Sequence, residues 1–306
     1  MVVPVDEEEG GVTDPVLEGL YREPYRIVRP RKQTAPFIFA SPHSGRAYPA
    51  DFVASSWLTP LALRRSEDAF VEELFEGAVE RGSPIIAARF PRAFLDVNRA
   101  ASELDPAMFD GALPMEVAEP STRVTSGLGV IPRIVRDGAE IYRRKLSPVE
   151  AERRLTRLYR PYHAALAGLV EETRLRFGVA ILVDCHSMPS AASTPDVVFG
   201  DRYGASASSN LMRQAEIAFE ACGFTTARNI PYAGGYTTHL YARRERGVHA
   251  LQIELNRTLY LDEEMIEPSG RFEETRTRLG EALGKLVTLD VSALVQHHPR
   301  QSWAAE

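Results

Sequence analysis

The chain has 306 residues, 44% hydrophobic and 25% charged, proportions that exclude a disordered or collagen-like bulk and suffice for a sizeable core. Its 36 basic and 42 acidic residues leave a net charge of -6, which argues against a nucleic-acid protein but allows a small anionic substrate held by local arginines. Cys185 and Cys222 make neither a disulfide framework nor a zinc knuckle.

Residues 1–30 are acidic and broken by Pro and Gly, which predicts a loose N-terminal arm. One α/β domain over 31–292 follows, and 293–306 reads as a second loose tail. A strand over 37–40 opens into Ser41-Pro42-His43-Ser44-Gly45. Phe70, Leu74 and Ala78 share a helical face, predicting a helix over 66–80 capped by Ser66. A strand over 84–88 comes next. Ser147-Pro148-Val149-Glu150 is a capping box that starts a helix running to about residue 176, bent at Pro161. The apolar run 179–183 reads as a strand buried on both faces, and 197–199 as another. A helix over 209–221 stops at Gly223, a strand covers 248–255, and a last helix spans 272–289. This alternation predicts an α/β three-layer sandwich with a mixed, mostly parallel sheet, whose site gathers at the carboxyl ends of the strands. No signal-peptide pattern opens the chain and no apolar stretch approaches the ~18 residues of a membrane span, so a cytoplasmic protein without membrane contact is expected.

Polar groups stand where these strands end. His43 and His186 offer two nitrogen ligands for zinc, which in catalytic sites takes three protein ligands and keeps one position open. Glu67, Asp68 and Asp184 are the candidate acidic ligands. Each has a plainer reading. A histidine after a strand is commonly a hydrogen-bonding residue; Glu67 and Asp68 suit the first turn of a helix; Asp184 suits the orientation of a histidine. Glu254 lies between Ile253 and Leu255, on the same strand face as Gln252. A carboxylate buried there would be a general base, whereas on an edge strand it would simply be solvated. Asn98-Arg99 offers a planar fork to a substrate carboxylate, or a surface salt bridge. Metalloprotease HExxH, GxSxG, P-loop and dinucleotide-binding motifs are all absent.

Six motifs in order resemble the N-formylglutamate amidohydrolase family: Ser41-Pro42-His43-Ser44-Gly45-Arg46, Ser66-Glu67-Asp68, Asp96-Val97-Asn98-Arg99, Pro161-Tyr162-His163, Asp184-Cys185-His186-Ser187 and Gln252-Ile253-Glu254-Leu255-Asn256-Arg257. The resemblance runs from about residue 35 to 262. It implies a fold similar to the zinc carboxypeptidases, Zn2+ or another divalent metal on His43 and His186, Asn98-Arg99 as the carboxylate grip and Glu254 as the base. Those carboxypeptidases carry the acidic ligand three residues after the first histidine; here that position is Arg46, so the ligand falls to Asp68, with Glu67 second. Arg133, in the Gly127–Arg133 loop, is the candidate for a second substrate carboxylate, and His163 lines the pocket or packs beside it. The implied reaction is hydrolysis of N-formyl-L-glutamate to L-glutamate and formate, a step of histidine degradation. The alternatives are the same machinery on another N-acyl amino acid or small peptide, and a non-enzymatic ligand-binding relative. The expected partner is thus a small anionic N-acyl amino acid; neither monomer nor homo-oligomer is specified.

Overall fold

The apolar runs of the chain become the inner strands of a seven-stranded sheet in the computed structural model, which describes residues 14–119, 121–135, 138–190 and 195–295. The strands are β1 (Tyr25–Val28), β2 (Phe37–Ser41), β3 (Ile85–Ala88), β4 (Ala180–Met188), β5 (Val197–Gly200), β6 (Thr226–Arg228) and β7 (Val248–Asn256), in spatial order β1-β3-β2-β4-β7-β5-β6. β3, β2, β4 and β7 run parallel. β1 pairs antiparallel with β3, and β5, parallel to β6, pairs antiparallel with β7. The sheet is therefore mixed and mostly parallel, as the alternation of strands and helices predicts.

Strand alternation sorts the core into two layers. On one face Phe39, Val183 and Ile253 pack under the Phe272–Val287, Ser209–Glu220 and Val71–Phe75 helices. On the other, Ile38, Leu182 and Ala250 meet the Arg160–Phe177 helix through Leu166 and Leu169. This second face changes character along the strands. β4 presents Ala180, Leu182, Asp184 and His186 in turn, while β7 presents Val248, Ala250, Gln252 and Glu254. Apolar residues anchor the strands on the helix layer, and the polar pairs fall at their carboxyl ends.

Several sequence expectations need correction. Residues 14–30 are not a loose arm. Asp14 caps the Pro15–Arg22 helix through bonds from Val16 N (2.9 Å) and Leu17 N (3.2 Å), Leu20 is buried, and β1 extends the sheet. Residues 1–13 of that arm lie outside the described residues. In the C-terminal segment, Leu294 and Val295 pack on the core, and 296–306 lie outside the described residues. The helix read over 66–80 is broken: 66–70 form a turn, Phe70 is left-handed at φ 64°, and helix resumes at Val71–Phe75 and Gly77–Glu80. Asp68 N donates to the His43 carbonyl (3.0 Å), which ties this turn to the one that follows β2. The strand read over 179–183 continues to Met188, paired residue by residue with β7. The helix read over 148–176 contains a π-helical turn, Leu155–Tyr159, just before Pro161. No helix among the described residues is long and apolar enough to cross a membrane.

Candidate active site

The site begins with a tight turn. Gly45 follows β2 so close to the exit of β3 that a Cβ there would sit 2.1 Å from the Phe90 carbonyl oxygen. That approach turns His43 back over the sheet, where it faces His186 with ring centroids 4.8 Å apart. Asp68 closes the group: its Oδ2 lies 3.3 Å from His43 Nδ1 and 2.9 Å from His186 Nδ1. Each imidazole is held from behind by a second carboxylate. His43 Nε2 donates to Asp96 Oδ1 (2.7 Å) and His186 Nε2 to Asp184 Oδ2 (2.9 Å). All five side chains are buried.

Burial opposes charge on Asp68 and Asp96. For Asp68 the hydrogen bonds and charges of His186 and His43 outweigh it, and for Asp96 the charges of His43, Arg92 and Arg99 do; both carboxyls are held well below the usual range. Burial likewise disfavours the His186 cation, but Asp184 and Asp68 draw its pKa well above that of a free imidazole. A proton therefore sits where a metal would compete for the same ring nitrogen.

This donor set fits a divalent metal. Two imidazole nitrogens and a carboxylate oxygen converge within 4.8 Å of one another, and both rings have their far nitrogen fixed by an anion. That is the arrangement by which metal-binding histidines keep one tautomer and a basic ligand nitrogen. It is Asp68, not Glu67, that meets the histidines. Glu67 turns away to accept from Tyr48 Oη (2.7 Å) and Arg64 Nε (3.2 Å), and burial raises its pKa.

Glu254 stands beside His186 in the β4–β7 register, on an inner strand, so the solvated edge-strand reading does not hold. Burial, against the charge of His186, pushes its carboxyl up to about 7. Gln252 Nε2 donates to Glu254 Oε1 (2.6 Å), and Gln252 Oε1 accepts from Gly235 N (2.8 Å), which fixes the amide orientation. Gly235 in turn packs on Asn98: a Cβ there would lie 2.5 Å from Asn98 Nδ2. Asn98 Oδ1 accepts from Thr237 N (2.7 Å) and Oγ1 (3.0 Å), while its Nδ2 donates to Asp184 Oδ2 (3.3 Å). Asn98 thus ties the turn after Gly235 to the carboxylate behind His186.

These groups line a cavity of about 580 Å3. Arg65, Arg92, Arg99, Arg123 and Arg257 also line it, against the carboxylates of Asp68, Asp96 and Glu254. Arg92 pairs with Asp96 (3.0 Å) and Arg257 with Asp68 (3.1 Å). Arg99 donates to the carbonyls of Leu128 (3.0 Å) and Asn98 (2.7 Å), with Asp96 at 3.8 Å. Arg133 does not line the cavity: it pairs with Glu140 (2.8 Å) and lies 3.8 Å from Asp105. His163 packs outside it, with Nε2 donating to the Val97 carbonyl (3.0 Å) and Nδ1 2.9 Å from Tyr241 Oη. Sequence reasoning named the motifs holding Asp96 and Arg257 but gave neither residue a role. The signal for Asp96 was a charge inside the apolar run 93–97; for Arg92 and Arg123 nothing in the local pattern marked an inward-facing arginine.

Comparison with known proteins agrees with this geometry. The profile of the N-formylglutamate amidohydrolase family matches residues 35–261. N-formylglutamate deformylase of Pseudomonas putida is 27% identical over 237 residues, covering 74% of this chain and 82% of that protein. Its namesake in Pseudomonas aeruginosa is 28% identical, covering 76% and 85%. The crystal structure of N-formylglutamate amidohydrolase from Ralstonia eutropha superposes with a TM-score of 0.81 at 35% identity, covering 86% of this chain and 97% of that one. A gene product of Agrobacterium tumefaciens shares the fold with a TM-score of 0.64 at 17% identity, covering 88% and 96%. The family match spans most of the chain and contains the whole buried cluster from His43 to Glu254, so this protein is a hydrolase that belongs to the N-formylglutamate amidohydrolase family.

Proposed function

We propose that the protein hydrolyses N-formyl-L-glutamate to L-glutamate and formate, with a divalent metal, zinc by preference, on His43, Asp68 and His186, and with 31–292 as one catalytic unit. The observation that carries this reading is the convergence of His43 Nδ1 and His186 Nδ1 on one Asp68 oxygen, beside Glu254 and under a cluster of arginines. The names of the Pseudomonas and Ralstonia relatives supply the substrate. A bound divalent ion would polarise the formyl oxygen and lower the pKa of an attacking water towards ~7.

Glu254 accepts a proton from that water as its oxygen adds to the formyl carbon. The same carboxyl then delivers the proton to the amide nitrogen as the C–N bond breaks, leaving formate and the free amine of L-glutamate. A carboxyl raised to about 7 suits both halves of this exchange near neutral pH. Gln252 keeps Glu254 aimed, and Arg99, braced by Asn98, holds a substrate carboxylate.

Release of L-glutamate from N-formyl-L-glutamate by zinc-loaded protein tests the reading. We expect chelator-sensitive release, and a loss of roughly 10²–10⁴-fold in kcat for Glu254→Gln with metal content unchanged. A folded, metal-loaded protein that leaves N-formyl-L-glutamate intact would show that the substrate is wrong.

A further inference from the structure

The loop that lines one part of the cavity through Arg123, Leu128, Pro132 and Ile134 carries a cation with no assigned work. Arg123 sits in the short Thr122–Thr125 helix, whose cap Ser121 accepts from Val124 N (3.3 Å). Glu103 binds this helix to the site: Ser121 Oγ donates to its Oε1 (3.4 Å) and Ala100 N, next to Arg99, to its Oε2 (2.9 Å). One carboxylate therefore holds the backbone stations of Arg99 and Arg123 at fixed separation. Val130 N donates to the Glu103 carbonyl (2.8 Å), and Arg99 Nε to that of Leu128 (3.0 Å). The far end of the same loop is thus pinned too.

Arg92 and Arg257 each pair with a carboxylate of the cavity, but among the described residues no ion pair engages Arg123. Arg99 feels the consequence: burial first, then the neighbouring charges of Arg92 and Arg123, lower its pKa despite Asp96. Positive charge thus gathers on the cavity wall that Arg99 and Arg123 share. We propose that Arg123 is the specificity residue of this site, taking the side-chain carboxylate of a dianionic N-acyl amino acid while Arg99 takes the α-carboxylate. The inference rests on the N-formylglutamate reading and deepens it, because it makes the second negative charge the feature selected.

The test compares N-formyl-L-glutamate with its neutral counterpart N-formyl-L-glutamine, and the binding of L-glutamate with that of L-glutamine by calorimetry on zinc-loaded protein. Arg123 is exposed, so its replacement leaves the core intact. In Arg123→Gln the ratio of kcat/KM for the acidic over the neutral substrate should fall about 10- to 100-fold, the range of a charged hydrogen-bonded contact. The preference for L-glutamate should fall in parallel, and Arg123→Lys should restore part of both. A variant in which both substrates decline together, with the ratio kept, would overturn the proposal and leave Arg123 a structural part of the loop. The binding arm separates the two readings. If wild type prefers L-glutamate through Arg123 yet does not cleave N-formyl-L-glutamate, the selection of a dianion stands and the named reaction fails. If wild type binds L-glutamate no better than L-glutamine, the proposal is lost whatever the turnover.

Discussion

Asp96 shows how a carboxylate held behind a candidate metal ligand sets the character of the site. An imidazole whose Nε2–H is held by a carboxylate turns Nδ1 towards a metal, and both histidines are oriented in this way. Asp96 also balances Arg92 and lies near Arg99, so it keeps two cations from facing a metal unopposed. Asp96→Asn keeps the volume and removes the charge. We expect metal affinity to fall at least ~10- to 100-fold, measured by competition with a chromophoric chelator; wild-type affinity in that variant would contradict the role. The sequence announces only part of this. His43, His186 and Glu254 are legible because they interrupt or follow apolar runs. Asp68 and Glu67 were not separable, since both fit the first turn of the helix that local periodicity suggests. Tertiary pull from the two histidines and Arg257 breaks that helix and turns Asp68 inward. Arg123 and Arg133 lie on one loop, and which of them faces the cavity depends on the path of the loop, not on its composition.

At the scale of elements, the strands act as carriers that change function along their length. The apolar run 179–183 places Asp184 and His186 just past the end of β4. They are in fact strand residues, and the nine-residue register with β7 sets His186 opposite Glu254. Period-2 alternation explains why Cys185, between them, belongs to the opposite core layer and is no part of the site. The turn after β2 has less freedom than its polar sequence suggests. Gly45 accepts the Arg89–Phe90 backbone against its own, where any Cβ would collide with backbone atoms that have no rotamer to give. Gly45→Ala should therefore push the His43 turn away from β3. We expect about 1–3 kcal/mol of lost stability, read from the urea midpoint, together with weaker metal binding. A variant within about 0.5 kcal/mol of wild type would mean that the two segments separate without cost. The strands β2, β3, β4, β5 and β7 and the helices over 148–176, 209–221 and 272–289 were readable, because their apolar residues recur at strand or helix spacing. β1, inside the segment read as a loose arm, and the three-residue β6 carry no such signal.

For the whole molecule, buried titrating groups pull stability in opposite directions with pH. His163 sits among Tyr159, Tyr162, Tyr236 and Tyr241, and burial pushes its pKa down to about 4. His249, buried at the start of β7, is also pushed down to about 4, by burial and then by Arg244. A histidine with a depressed folded pKa stays neutral while the unfolded chain takes up a proton near 6.5, so its stabilisation is complete above that value and is lost as pH falls towards 4. Glu254 acts with the other sign. Its folded pKa of about 7 lies above that of an unfolded carboxyl, so its contribution is present at low pH and is lost as pH rises through 7. Over much of the same range the effects oppose each other, and the pH profile of the intact protein does not isolate any one of them. A paired comparison does. His163→Gln keeps a donor near the Val97 carbonyl and removes one titration, leaving Glu254 and His249 common to both proteins. Between pH 6.5 and 4.5 the stability advantage of wild type over the variant should narrow by about 2–3 kcal/mol, one proton over two pH units. Urea unfolding at both pH values measures the change. A gap that stays constant would mean that His163 is as easily protonated in the fold as in the unfolded chain, and that the tyrosine cluster does not shield it from water.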